Sequence, residues 1–215
     1  MEDNYRHKGL RKKLLDILRQ KGIKNETVLA AMDRVPRHWF MDTAFLNFAY
    51  EDKAFPIGAG QTISQPYTVA FQTDLLDLKK GEKVLEVGTG SGYQTCVLVE
   101  MGVKVFSIER QRELYQKTKK LLEEMNYRPR LFYGDGYAGL PAFEPFDKII
   151  VTAGAPYVPP ALIDQLKPGG RLVIPVGQNI QEMMLIKKGE NGETERETFG
   201  EFRFVPLLED KENGE

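Results

Sequence analysis

The sequence predicts an α/β fold with a mostly parallel sheet, and three observations carry that expectation. From position 83 onward, apolar runs of four to six residues alternate with amphipathic stretches, the pattern of repeated strand–helix–strand units whose sheet is buried on both faces. A glycine cluster, Gly88-Thr89-Gly90-Ser91-Gly92, directly follows the first of these runs. There the backbone can approach a ligand without Cβ interference, beside the positive end of a helix. Two acids, Glu109 and Asp135, close the next two runs, at the carboxyl edge where open α/β sheets bind their ligands.

The elements follow in chain order. Residues 6–33 carry helical periodicity: Leu10, Leu14, Leu15, Ile17 and Leu18 form one apolar stripe, and Asn25 is placed to cap a second helix containing Val28, Leu29 and Met32. The basic residues of the first helix read as its solvated face. In the stretch GQTISQPYTV (60–69), Ser64 is expected to cap a helix through Val69, Leu75 and Leu76, with Pro66 in its first turn. The same exposed N–H groups are suited to cradling a carboxylate. Strands are expected at 83–87, 104–108, 130–133, 148–152 and 171–176, with helices near 92–101, 112–125 and 158–166, the last stopped by Lys167-Pro168-Gly169-Gly170. After residue 177, strands around the turn-forming Asn191-Gly192 make an antiparallel pair at the sheet edge. Trp39, Phe40, Cys96, Met183 and Met184 are read as packing residues, and His38 as a surface or packing residue.

A chain of 215 residues suits a single core. The expected division is an N-terminal helical cover (1–60), a cofactor-binding α/β core (61–177), C-terminal strands (178–208) and a tail (209–215). A net charge of −1 provides no field to attract nucleic acid. One cysteine and two histidines exclude an internal disulfide and disfavour a zinc site, so no metal is expected. The N-terminus lacks a signal-like apolar run, and no stretch approaches the roughly 18 apolar residues of a membrane span. A cytoplasmic monomer is the expectation, and Asn25-Glu26-Thr27 is a chance match to a glycosylation acceptor.

The glycine loop departs from the dinucleotide fingerprint, because Tyr93 stands where that motif wants a small residue packed against the strand. Glu109 is placed to accept both hydroxyls of a ribose, and Asp135 to accept from an adenine amino group, so the ordered set indicates a nucleoside. This arrangement resembles the Rossmann-like methyltransferases that use S-adenosylmethionine. Amino-group methyltransferases often carry Asn/Asp-Pro-Pro-Tyr after the fourth strand; here the stretch is Gly154-Ala155-Pro156-Tyr157, which lacks the polar group. Asp147 opens its strand and so lies at the wrong end for a metal cluster. A carboxylate acceptor needs neither device, since with a reference pKa near 4 it is ionised at neutral pH.

The wording of VLAAMDRVPRHWF, AYEDKAFPIGAGQTISQPYTVA, VLEVGTGSGYQT, GDGYAGLPAFEPFDKIIVTAGAP, LIDQLKPGGRLVIPVG and RFVPL closely resembles the protein-L-isoaspartate (D-aspartate) O-methyltransferases over roughly residues 8–208. QTISQPY and RFVPL are the selective parts, whereas the glycine loop is common to most adenosylmethionine enzymes. The resemblance implies methylation of the abnormal α-carboxylate of isoaspartyl residues in damaged peptides and proteins, which starts their repair. It implies Ser64 as the active-site residue, with Gln65 and the backbone of Val205 at the substrate. Thr62, Ile63, Gly88, Gly90, Glu109, Asp135 and Gly136 are implied at the cofactor. Two rivals stay open: an amino-group methyltransferase, and a binding module without turnover. Asn191-Gly192 and Asn213-Gly214 are sequences prone to forming isoaspartate, so methylation of the enzyme's own aged copies is a hypothesis; aged samples lacking a base-labile methyl by mass spectrometry would dispose of it.

Overall fold

The computed structural model describes residues 2–212. Two helices open the chain, α1 (Tyr5–Gln20) and α2 (Glu26–Arg34), followed by a short ribbon, β1 (Phe55–Gly58) and β2 (Gln61–Ile63). The α/β body comprises α3 (Pro66–Leu76), β3 (Lys83–Val87), α4 (Tyr93–Glu100), β4 (Lys104–Glu109), α5 (Arg112–Glu124), β5 (Arg130–Tyr133), β6 (Phe146–Val151), α6 (Pro160–Asp164) and β7 (Leu166–Val176). Strands β8 (Gln181–Lys188) and β9 (Thr194–Phe202) complete it. The seven-stranded sheet has the order β5-β4-β3-β6-β7-β8-β9. Neighbours from β5 to β7 run parallel, and β8 and β9 add antiparallel at one edge. Chain order reverses between β4-β3 and β3-β6, so the crevice beyond the carboxyl ends of β3, β4 and β6 is where this topology holds ligands.

Local chemistry explains most boundaries. Asn4 accepts from the His7 N–H, and Asn25 accepts from the Thr27 and Val28 N–H groups, caps of the kind that contribute about 1 kcal/mol each. The apolar stripes of α1 and α2 bury Leu14, Leu18, Val28, Leu29 and Met32 in one cluster with Val69 of α3 and Cys96 and Val97 of α4. The second helix meets both α3 and α4. The N-terminal layer is thus a wall built onto the core helices. No residue of α1 or α2 lines either ligand cleft described below.

Two expectations are corrected, and of the two readings of His38, surface or packing, the packing one holds. Ser64 does not cap α3: the N-cap position is Gln65, whose side chain makes no capping bond. Instead the Tyr67 N–H donates to Asp52 Oδ1 at 2.8 Å, so the start of α3 is held by a carboxylate from the preceding loop and is not an open anion cradle. The helix expected at 158–166 covers only Pro160–Asp164, and the Lys167–Gly170 stretch lies inside β7. The register jumps there, from Leu166 opposite Phe146 to Arg171 opposite Lys148, and Gly169 takes φ +74°, so Pro168 and Gly169 form a bulge within the strand. His38 is buried at 6% exposure, because its Nδ1 shares a hydrogen bond with the Tyr50 hydroxyl at 2.7 Å and its ring stacks on His7 at 3.8 Å. Nearby, both oxygens of Asp3 are taken by Arg11. Asn191-Gly192 sits in the turn before β9, with the Gly192 N–H donating to the Gly189 carbonyl, whereas Asn213-Gly214 lies outside the described residues.

Candidate active site

The first cleft forms where β3 ends. Gly88 and Gly90 take φ of +99° and +52°, values an L side chain rarely adopts. A Cβ on Gly88 would also lie 2.5 Å from Thr152 Oγ1. The Thr152 hydroxyl is committed there, donating toward the Gly88 carbonyl at 2.7 Å and the Val87 carbonyl at 3.0 Å. One wall of the cleft is therefore bare backbone, pinned from β6. Behind it, Glu86 is fully buried and accepts from Thr95 Oγ1 at 2.6 Å. Burial pushes the Glu86 carboxyl up to about 7, against the opposing hydroxyl bonds.

Glu109 faces the same cleft from the tip of β4. Its two oxygens accept one N–H each, from Gly90 and from Gln111, both at 2.8 Å. Burial raises its pKa, opposed by those backbone N–H groups. A carboxylate offers about four acceptor positions, so two remain for a ligand diol. Tyr93 completes the inner wall, with the guanidinium of fully buried Arg37 stacked 5.0 Å from its ring centroid. The cleft, with its open mouth, encloses about 770 Å³ of space.

A second cleft, about 1380 Å³ with its mouth, is lined by Gln65, Tyr67, Thr68, Phe199, Phe202 and Phe204 among others. Thr62, Ser64, Thr152 and Val205 line both clefts. None of the four carries a side chain that titrates near neutrality. The structure thus brings Thr62, Ile63, Ser64, Gly88, Gly90, Glu109, Gly136 and Val205 to the first cleft and Gln65 to the second. Asp135 is the exception: it does not line the first cleft, and its Oδ1 accepts from the Tyr137 N–H at 2.8 Å, tightening the turn after β5. Its neighbour Gly136 lines the wall instead, where a Cβ would meet Val87 Cγ1 at 2.5 Å.

Val205 lies past the end of β9, not in a strand. Its carbonyl accepts from the Gly154 N–H at 2.8 Å, and the Leu207 N–H donates to the Gly154 carbonyl at 2.7 Å. Position 154 is also crowded: a Cβ there would sit 2.7 Å from Gln181 Cδ, so a side chain would displace Gln181, whose Oε1 accepts from the Phe204 N–H. Sequence reasoning missed Thr152, Arg110 and Gln111 in the first cleft, and Thr152 again in the second. Position after a strand end was the available signal for Arg110 and Gln111; a lone threonine after β6 carried none.

A family model described as protein-L-isoaspartate(D-aspartate) O-methyltransferase matches residues 9–212. A protein-L-isoaspartate O-methyltransferase of Christiangramia forsetii is 62% identical over 98% of this chain and 100% of its own length. One from Pseudomonas syringae pv. tomato is 52% identical over 92% of this chain and 95% of its own. Among solved structures, a protein-L-isoaspartate O-methyltransferase superimposes with a TM-score of 0.84 at 31% identity, covering 94% of this chain and 67% of that one. A putative Plasmodium falciparum protein-L-isoaspartate O-methyltransferase, solved with S-adenosyl-L-homocysteine, has a TM-score of 0.81 at 26% identity, covering 92% of this chain and 98% of its own. With glycine loop, acidic strand end and adjoining second cleft in place, the chain belongs to the protein-L-isoaspartate(D-aspartate) O-methyltransferase family.

Proposed function

We propose that the protein transfers a methyl group from S-adenosylmethionine to the α-carboxylate of L-isoaspartyl residues in damaged peptides and proteins, the first step of their return to L-aspartyl. The observation that carries this reading is the meeting of two clefts at Thr62, Ser64, Thr152 and Val205. The residues of the first cleft fit the methyl donor. Bare backbone at Gly88 and Gly90 admits close approach, and the two spare acceptor positions of Glu109 suit a ribose diol. S-adenosylmethionine supplies a positively charged sulfonium bearing the methyl group. Asp135 orders the turn that presents Gly136, and so acts on the adenine end through backbone placement.

At the junction, Ser64 donates its hydroxyl to the acceptor carboxylate, while Thr62 and Ile63 close over the donor. A carboxylate is already ionised, so the junction needs no general base, and its four residues supply none. Their work is to hold the nucleophilic oxygen in line and exclude water, effects that can contribute several kcal/mol. Gln65 and Val205 line the second cleft, with the N–H of Val205 left for the substrate backbone, since its carbonyl is used by Gly154. Glycine at position 154 supports a carboxylate acceptor over an amino group, because no polar side chain stands there to hold an attacking nitrogen.

Labelled-methyl transfer to two otherwise identical peptides, one L-isoaspartyl and one L-aspartyl, tests the reading. Label should enter the isoaspartyl peptide alone and leave as methanol in mild base; no transfer despite cofactor binding would overturn it. Ser64→Ala is expected to lower kcat/KM for the peptide about tenfold to a hundredfold, the loss of one hydrogen bond to a charged group, with cofactor affinity unchanged. An equal loss of both would remove Ser64 from the acceptor side.

A further inference from the structure

We infer that Asp52, which lines neither cleft, is a positioning residue for the methyl acceptor: it fixes the Ser64–Tyr67 wall and fills the one place at the start of α3 where an acceptor carboxylate would otherwise settle unproductively. This rests on the reading of the second cleft as the acceptor site.

Asp52 sits in the loop before β1, with its side chain 9% exposed. Its Oδ1 accepts from the Tyr67 N–H at 2.8 Å, and its Oδ2 accepts from Gln65 Nε2 at 3.0 Å and from Lys21 Nζ at 2.6 Å. Gln65 and Tyr67 are the residues that continue the acceptor wall beyond Ser64. Lys21 braces it from behind, 5.6 Å from the centroid of the Tyr67 ring. One carboxylate therefore orients a groove side chain, caps the helix that carries it and ties both to the end of α1.

The electrostatic consequence concerns substrate register. The first N–H groups of an eleven-residue helix carry partial positive charge and bind anions. Gln65 offers no capping bond of its own, so without Asp52 that charge would stand uncompensated a few residues from Ser64. An isoaspartyl carboxylate is itself an anion and would be drawn to it. With Asp52 in place that end of α3 is filled, and the cleft's own donors, the hydroxyls of Thr62 and Ser64 and the Arg203 guanidinium among them, are left for it.

Steady-state kinetics of Asp52→Ala and Asp52→Asn with an isoaspartyl peptide, beside the affinity for S-adenosylhomocysteine by calorimetry, tests the proposal. Asp52→Ala should raise the peptide KM about tenfold or more, as expected for two or three lost hydrogen bonds, and leave cofactor affinity within about twofold. In Asp52→Asn, Oδ1 still accepts from the Tyr67 N–H and the amide can pair with a flipped Gln65, so KM should return to within about threefold of wild type. A sulfate titration followed at the Tyr67 amide resonance should move Asp52→Ala alone. Equal losses of cofactor and peptide affinity, a Tm change without a KM change, failure of the asparagine variant to rescue, or a sulfate-insensitive Tyr67 in Asp52→Ala would each overturn it. If wild type fails to methylate the peptide, the acceptor reading itself fails, and the sulfate titration still judges what Asp52 occupies.

Discussion

The two clefts are built differently. Around Glu109, the polar contacts come from nearby in the chain: the Gln111 N–H two residues on and the Gly90 N–H nineteen residues back. Around Ser64 the wall is assembled from far apart. Lys21 reaches Asp52 across 31 residues, Asp52 reaches Tyr67 across 15, and Val205 is latched to Gly154 at the opposite side of the C-terminal hairpin. The hydrogen bonds of Glu109 lie within one strand–loop–helix–strand unit, although the glycine wall beside it is pinned by Thr152 from beyond β6. The acceptor wall exists only when five distant segments are docked. Changes in the first should alter cofactor binding selectively, and changes in the second should alter peptide use.

The severest break should come from Gly88→Val. Its side chain would combine a disfavoured φ of +99° with a Cβ 2.5 Å from Thr152 Oγ1, and strain of that kind costs roughly 1–3 kcal/mol before the clash is counted. Calorimetry should show a loss of cofactor affinity of about a hundredfold or more; retained affinity would mean the loop can be rebuilt without Thr152. Next, Gly154→Asn attacks the latch that both clefts share, through a Cβ 2.7 Å from Gln181 Cδ. Overpacking of this sort typically costs about 1–3 kcal/mol, so thermal unfolding should move down, and both cofactor and peptide affinities should fall together. If only peptide binding suffers, the segment 205–208 serves the acceptor alone.

Glu109→Gln sharpens the contrast from the donor side. Replacing one acceptor oxygen by an NH2 donor and removing the charge from the other should weaken cofactor binding about tenfold to a hundredfold, with the peptide KM unchanged at saturating cofactor. The smallest effect on either ligand is expected at Glu86, behind the loop, where the change falls on stability. Its folded pKa of about 7 stands above the ordinary 4.5, so the folded state holds the proton more tightly than the unfolded chain. Wild type therefore loses stability as pH rises from about 4.5 to about 7, by up to about 3 kcal/mol at about 1.4 kcal/mol per pH unit. Glu86→Gln stays neutral and should unfold at a higher temperature than wild type at pH 8, with the gap closing by pH 4. A gap that does not change with pH would mean that Glu86 titrates normally.

How much was legible follows the same division. The strands from Lys83 to Tyr133 and the helices α4 and α5 lay within a residue or so of their expected bounds. Runs of Val, Leu and Ile between polar amphipathic stretches encode their own period, and the glycine loop encodes its own φ values. Glu109 was legible for the same reason, because the residue after a buried strand lands at the sheet edge whatever surrounds it. Asp135 shows the limit of that logic: it also follows a strand, yet its side chain turns back to the Tyr137 N–H.

What the sequence determined by itself was therefore the parallel sheet, its antiparallel edge, the glycine loop and the family resemblance, each written in spacings shorter than about 30 residues. What only the tertiary structure decided was that Ser64 stands free of the helix cap, that Asp52 takes that place, that Thr152 joins two clefts, and that Gln181 crowds Gly154. The physical reason is range. Hydrogen-bonding and steric preferences of neighbours act along the chain and leave a local pattern, whereas a contact between segments brought together by burial of a common core leaves no mark in either segment alone.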